Sequence, residues 1–369
     1  MKKVISILIP MLLVGILGAV SFQYDGEFRA RAAMYNNAVE DDGGHFDNRL
    51  QLGMQAELNP DLKLYAKFEV SEPGLGIVWG NGGGALGTKG INIKTAEAYI
   101  DYRIEAIESN LRVGQMYWKD HRGLVLDDNF SGIFITKDDL FGFKAEFAWM
   151  KAMEGARIGN DDYNVLMANL MGESPYPYGL TLMYGDNDGA TNITAMPYIT
   201  LDFDPVNLDL VAFADYQITP GGADDVLGIG GAAKATADLG MFEIGGDLLF
   251  ATGDGLTTLL PYYQNGLYIY GYGPHHDGVN LYWGDDYSTA NASDDAFISA
   301  VGNIKAPLND KMKAFAAGGL VVDEGIEINA GLEYNLIPDL FDMALYGAYG
   351  MHENDTNNYM LGSTLKVNF

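Results

Sequence analysis

The chain has no cysteine at all. That excludes disulfides, thiolate metal sites and cysteine nucleophiles. Basic residues are scarce: 22 Lys and Arg stand against 50 Asp and Glu, a formal net charge of −28. Nucleic-acid binding wants a basic face, so it is excluded as a partner class. Docking on anionic lipid headgroups through basic patches is excluded by the same balance. Histidine is also rare, with five in 369 residues. Past Ser21 no stretch approaches the ~18 apolar residues of a membrane helix. HExxH, GxSxG and Walker patterns are all missing, and Gly82-Gly83-Gly84 precedes no GK[ST], so no phosphate cradle is expected. Enzymatic activity is not expected.

What is present begins with a targeting segment over residues 1–21. Lys2 and Lys3 form a positive head, an apolar run follows from Val4 to Val20, and Ala19 and Ser21 supply the small residues of a cleavage site before Phe22. The run is marginal for spanning a bilayer and has no stop-transfer flank, which favours a cleaved secretion signal over an anchor. Residues 22–369 carry no linker and read as one domain.

From there the hydrophobic pattern has period 2 almost throughout. Leu50, Leu52, Met54, Ala56 and Leu58 alternate with Arg49, Gln51, Gly53, Gln55 and Glu57. Asn59-Pro60-Asp61 is a turn in which Pro presets φ and the flanking side chains bond their own backbone. Leu62, Leu64, Ala66, Phe68 and Val70 then alternate with Lys63, Tyr65, Lys67, Glu69 and Ser71. A one-residue slip would carry Lys63 and Lys67 to the oily face. The same grammar recurs at 207–218 and 326–336. It is blurred near 130–137, 163–171 and 232–238, where small and apolar residues occupy both faces.

The pattern predicts an all-β chain of about 18 strands, the first at 24–35 and the last at 358–369; 16 stays open. Short turns alternate with a more variable, Gly- and Asp-rich set of connections, of which 253–294 is the longest. A soluble sandwich also buries one face of each strand. The placement of charge separates the two. The basic residues Arg29, Arg31, Arg49, Lys63, Lys67, Arg103, Arg112 and Lys144 all fall on the polar face. A charge in lipid near the midplane costs about 2–4 kcal/mol, and one-sided placement is what that penalty predicts. The fold class is therefore a closed antiparallel transmembrane β-barrel.

The last strand sharpens this. Tyr359, Leu361, Ser363, Leu365, Val367 and Phe369 alternate with Met360, Gly362, Thr364, Lys366 and Asn368. A secretion signal followed by such a final strand resembles the Gram-negative outer-membrane porins. The passage Leu111-Arg112-Val113-Gly114-Gln115, followed by Leu126-Asp127-Asp128-Asn129-Phe130-Ser131-Gly132, is loosely similar to alginate-export-type and related large porins. The resemblance implies an outer-membrane location, passive passage of small polar solutes, contact with membrane lipid and lipopolysaccharide, a possible homo-oligomer, and Phe369 as an assembly signal read by the barrel-assembly machinery.

The candidate pore-lining residues are the eight basic ones above with Glu57, Glu69, Asp101, Asp215 and Asp247. Basic residues gather in the first half of the chain and acidic ones in the second. One lumen wall is therefore expected to be positive and the other negative, a field that would orient polar solutes. The plainer reading is that these charges pair with one another and keep the bore wet. The segment 253–294 is rich in aromatics, and Tyr268, Tyr270, Tyr272, Tyr282 and Trp283 are its candidates for narrowing the mouth. Packing on neighbouring loops is the alternative. Paired aspartates (Asp41-Asp42, Asp161-Asp162, Asp224-Asp225, Asp285-Asp286, Asp294-Asp295) are compatible with Ca²⁺, although solvated acidic loop tips are commoner. All five histidines are placed in exterior loops. No resident cofactor is expected.

Overall fold

In the computed structural model of the chain, the residues described are 20–36, 43–70, 93–153, 163–187, 190–218, 225–253, 255–259, 261–276, 296–352 and 357–369. The targeting segment up to residue 19 lies outside them. So do Tyr282, Trp283 and every paired aspartate except Asp225.

Eighteen strands make up one sheet. In chain order they are β1 (Ser21–Asn36), β2 (Gly43–Asn59), β3 (Leu62–Val70), β4 (Ile93–Ile104), β5 (Ser109–Lys119), β6 (Asp127–Leu140), β7 (Phe143–Met153), β8 (Tyr163–Gly172) and β9 (Tyr178–Asn187). The second half continues with β10 (Ala190–Phe203), β11 (Val206–Ile218), β12 (Val226–Asp238), β13 (Glu243–Ala251), β14 (Phe297–Asn309), β15 (Met312–Val321), β16 (Gly325–Ile337), β17 (Phe341–His352) and β18 (Asn357–Asn368). Each strand pairs antiparallel with the next, and β1 pairs with both β2 and β18. The count of 18 is thereby decided. The seam runs from Glu27↔Asn368 to Asn36↔Tyr359. Phe369 extends it, with backbone bonds of 2.7 and 3.0 Å exchanged with Gly26.

Closure matters because a bilayer offers no partner for a strand edge. Directly paired residues share a face, and the two faces separate as the alternation demands. Outward stand Leu52, Leu64, Phe68, Leu248, Ile304, Ile328, Leu345 and Leu361, all exposed. Inward stand the charged positions, such as Arg29 opposite Arg49 and Lys234 opposite Asp247. The connections at one end are tight turns, and those at the other vary widely in length.

The interior departs from an open pipe. Met116, Phe130, Phe134, Met150, Val165, Met167, Met183, Met196, Val211, Phe213 and Leu249 are buried on the inner face of β5 to β13. They pack against Leu124, Val125, Leu126, Leu256 and Tyr263, which lie in connections rather than strands. A second buried cluster joins Leu267, Tyr268, Ile269 and Tyr270 to Phe315, Tyr346 and Met360 on the opposite wall. Two connections thus enter the bore and solidify part of it.

Neighbouring residues on opposite faces give a direct test. Ile304→Arg on the outer face of β14 is expected to cost about 2–4 kcal/mol in unfolding from lipid vesicles. Asn303→Arg, one residue back and facing inward, is expected to remain near wild type. Equal losses at both positions would contradict the assignment of faces.

Candidate lumen and constriction site

The first inward connection is 120–126, between β5 and β6. Asp120 organises it: its carboxylate accepts the backbone N–H of Arg122, Leu124, Val125 and Leu126 at 2.7–3.1 Å. The Asp120 N–H returns to the Leu126 carbonyl at 3.0 Å. This turns Leu124, Val125 and Leu126 into the apolar core. His121 reaches Asp209 of β11 at 2.6 Å and stacks 4.0 Å from the Tyr198 ring of β10. Arg122 donates to Asp247 of β13 at 2.6 Å and to the Tyr263 hydroxyl at 2.8 Å, its guanidinium 4.9 Å over that ring.

The second is 255–276, between β13 and β14. It meets the first by two backbone bonds, Leu259 N–H to the Val125 carbonyl at 2.9 Å and Tyr262 N–H to the Gly123 carbonyl at 3.0 Å. Inner-wall carboxylates receive the rest. Asp215 accepts the Thr257 N–H at 3.0 Å and its hydroxyl at 2.6 Å. Asp247 accepts the Tyr263 hydroxyl. Glu327 accepts the N–H of Tyr268, Ile269 and Tyr270 at 2.7, 2.8 and 3.1 Å. Glu333 meets the His275 ring at 3.0 Å, and Thr364 donates to the His275 carbonyl at 2.8 Å. Gly228 is glycine for this reason: a Cβ there would strike the Gly255 carbonyl where the connection crosses the wall. Burial, reinforced by the charge of Asp247, pushes the Tyr263 hydroxyl well above its usual range. Tyr268 is raised too, by burial first and then by the nearby Tyr346 and Glu327. Both stay neutral hydroxyls.

Between these connections and the wall of β1–β6 and β15–β18 a lumen of about 1420 Å³ remains. Arg29, Arg49, Lys67, Lys94, Lys313 and Lys366 line it together with Glu27, Glu69, Glu97, Glu333 and Asp342. Tyr262, Gln264, Tyr272, Pro274 and His275 form the side supplied by the inward segment, and the Tyr262 and Tyr272 rings stack 4.8 Å apart. Lys366, Arg29 and Arg49 stand side by side in register. Glu27 binds two of them, Arg49 at 2.6 Å and Lys366 at 2.8 Å. Glu69 takes Lys94 at 2.9 Å and Gln51 at 2.6 Å, and Lys67 stands 3.7 Å from Glu97.

Of the candidates read from sequence, Arg29, Arg49, Lys67, Glu69 and Tyr272 border this lumen. Arg31 does not. It is 1 % exposed and paired at 2.9 Å with an equally buried Asp47. Asp101 and Arg112 pair at 2.9 Å on the inner face near the tight-turn end, with Arg112 over the Tyr99 ring. Glu57 and Lys63 lie opposite each other at that same end, and Arg103 and Lys144 lie beside short turns. None of these borders the 1420 Å³ space.

Three expectations need correction. Asp215 and Asp247 do not form a negative pore wall: at 0 and 5 % exposure they are covered by the inward segments they bind. Tyr268 and Tyr270 do not themselves border the space: both are buried against β15–β18, within the segment that enters the bore. His121, His275 and His276 are not exterior; they sit within the bore, held by Asp209, Glu333 and neighbouring rings. Sequence reasoning also missed Asp120 and Arg122. The available signal was the both-faces apolar strands nearby, which require something apolar inside to pack against.

No protein-family model matches the chain, and no curated protein matches it. Solved structures do. OpdK of Pseudomonas aeruginosa, solved with vanillate, aligns with a TM-score of 0.63 at 13 % identity over 94 % of this chain and 98 % of that one. OccK2 (OpdF) of the same organism, in complex with glucuronate, gives 0.62 at 11 % identity, covering 95 % and 98 %. A BenF-like porin from Pseudomonas fluorescens Pf-5 gives 0.58 at 12 % identity, covering 94 % and 99 %. The fold is that of the outer-membrane porins. The narrower likeness to alginate-export-type porins is not supported by these matches.

The junction of the two inward segments can be tested at Arg122. Removing one partner of a buried ion pair costs about 3–5 kcal/mol. Arg122→Met is expected to loosen the segments and speed hydrogen exchange at the Leu259 and Tyr262 amides. Adding Asp247→Asn should restore part of the protection. Unchanged exchange in Arg122→Met would show that the segments are not held through this pair.

Proposed function

We propose that the chain is an outer-membrane porin: a passive channel for small hydrophilic solutes. The observation that carries this is the lumen itself. A space of about 1420 Å³ bordered by ionic side chains is kept wet, because charges of this density cannot be left in a dry cavity. Barrels of 16–18 strands have room for an aqueous channel, and here two inward segments reduce it. The tight turns are then periplasmic and the variable connections extracellular. Membrane lipid and lipopolysaccharide cover the outer face, and the β18 seam ending at Phe369 is the segment offered to the assembly machinery. Association into homo-oligomers through the outer face is compatible with this arrangement.

The transverse field inferred from sequence takes a different form. The acidic residues of the second half serve mainly to hold the inward segments, so the remaining polarity lies within one wall. The row Lys366–Arg29–Arg49 carries three positive charges, with Glu27 bridging Arg49 and Lys366 and Asp342 opposite Lys366. Such a row gives a passing carboxylate a foothold, with bidentate contact from Arg. Vanillate and glucuronate, found with two of the similar barrels, are both carboxylates.

Planar-bilayer recording tests the reading. Wild type is expected to show steady single-channel conductance. Changing Arg29, Arg49 and Lys366 together to Gln removes three positive charges and leaves Glu27 unbalanced. The permeability ratio of chloride to potassium should then fall about threefold or more. A purified, inserted barrel that passes no current would overturn the proposal in favour of a structural or adhesive protein.

A further inference from the structure

We propose that Glu327 is a positioning residue that sets the width of the channel by holding segment 267–270 against the wall. The inference rests on the channel reading above and adds to it a determinant of pore size.

The geometry is specific. Three successive backbone N–H groups, of Tyr268, Ile269 and Tyr270, converge on the two carboxylate oxygens of Glu327 at 2.7–3.1 Å. Successive N–H groups turned to one side form a concavity that binds an anion. Glu327 supplies that anion and is 0 % exposed. Asn329, two residues along the same face, donates through its amide to Glu327 and to the Gly266 carbonyl, both at 3.0 Å. The clasp therefore extends along the segment from Gly266 to Tyr270.

The wall is shaped to receive that turn. The residues directly opposite Glu327 in β15 and β17 are Gly319 and Gly350. A Cβ on Gly350 would come within 3.1 Å of the Ile269 and Tyr270 side chains. Larger residues there would hold the segment away from the strand. Tyr268 adds a ring stack, 4.8 Å from Tyr346.

What Glu327 holds is continuous with what the solute meets. Tyr272, Pro274 and His275 border the lumen and follow the clasped turn by a few residues. Asp215 and Asp247, by contrast, secure the earlier part of the connection against the filled side of the bore. Glu327 is also separable from the barrel. Its backbone ladder to β15 and β17 does not involve its side chain. Glu327→Ala leaves three amide donors without their acceptor, and burying them unpaired is unfavourable; Glu327→Gln keeps one acceptor oxygen and turns an NH2 group toward the same donors. The segment then exchanges that site for water in the lumen, and the lining residues move with it.

The test compares wild type, Glu327→Gln and Glu327→Ala in planar bilayers, with uptake of oligosaccharides of graded size into proteoliposomes. Both variants are expected to raise single-channel conductance about twofold or more and to admit larger sugars, with the chloride-to-potassium ratio unchanged. Barrel unfolding in guanidinium should stay near wild type, which a merely structural role would not allow alongside a wider pore. Conductance and size limit equal to wild type in both variants would overturn the proposal. Should neither variant insert, Ile269→Pro removes one donor from the loop side and is read by the same two measurements. If wild type is silent, current that appears only in the Glu327 variants supports the clasp and refutes the open-channel reading. Silence in every variant refutes both.

Discussion

A backbone crossing lipid must satisfy its own N–H and C=O groups, and every other property of this molecule follows from how it does so. The chain joins β1 to β18 and leaves no edge. Closure divides all side chains into an outer set and an inner set with no choice between. The outer set is free to be aliphatic because lipid accepts it. The inner set inherits a volume too wide for side chains alone to fill, since barrels of this strand number enclose space. What the chain puts into that space decides what the molecule does.

It puts in two connections, and it uses acids to keep them there. Asp120 shapes the first from within, while Asp209, Asp215, Asp247, Glu327 and Glu333 receive one or the other from the wall. A carboxylate is a suitable anchor because it accepts several N–H or O–H groups at once, and burying it is tolerable only when those groups are supplied. The connections in turn carry the apolar residues that pack against the methionines of β5 and β7 to β10. The outcome is a bore with one filled side and one wet side. Ionic pairs remain on the wet side, where water screens them.

The barrel was legible in the sequence because alternation, turn spacing and one-sided charge all report the same partition into faces. Ile326, Ile328 and Leu332 against Glu327, Asn329 and Glu333 show it in a single strand. The division of the bore was not legible. Asp215 and Asp247 look like pore acids because a period-2 pattern says which way a side chain points and nothing about what covers it. Coverage depends on residues far away in the chain: Thr257 lies 42 residues from Asp215, and Arg122 lies 125 from Asp247. The strands near 130–137, 163–171 and 232–238 did carry a trace of the answer. Their second apolar face had no purpose in a water-filled pipe. In the structure that face includes Phe130, Phe134, Val165, Met167 and Ala232, packed on the inward segments.

The central claim is that lipid touches one set of alternating residues and water the other. The chain has no cysteine of its own, so single cysteines can be placed one at a time from Arg49 to Leu52 in β2 and from Ala66 to Phe68 in β3, where the inner face borders the lumen. In proteoliposomes, a charged water-soluble thiol reagent should modify positions 49, 51 and 67 and spare 50, 52, 66 and 68. Reaction without a period of two, or with the opposite set protected, would contradict the account.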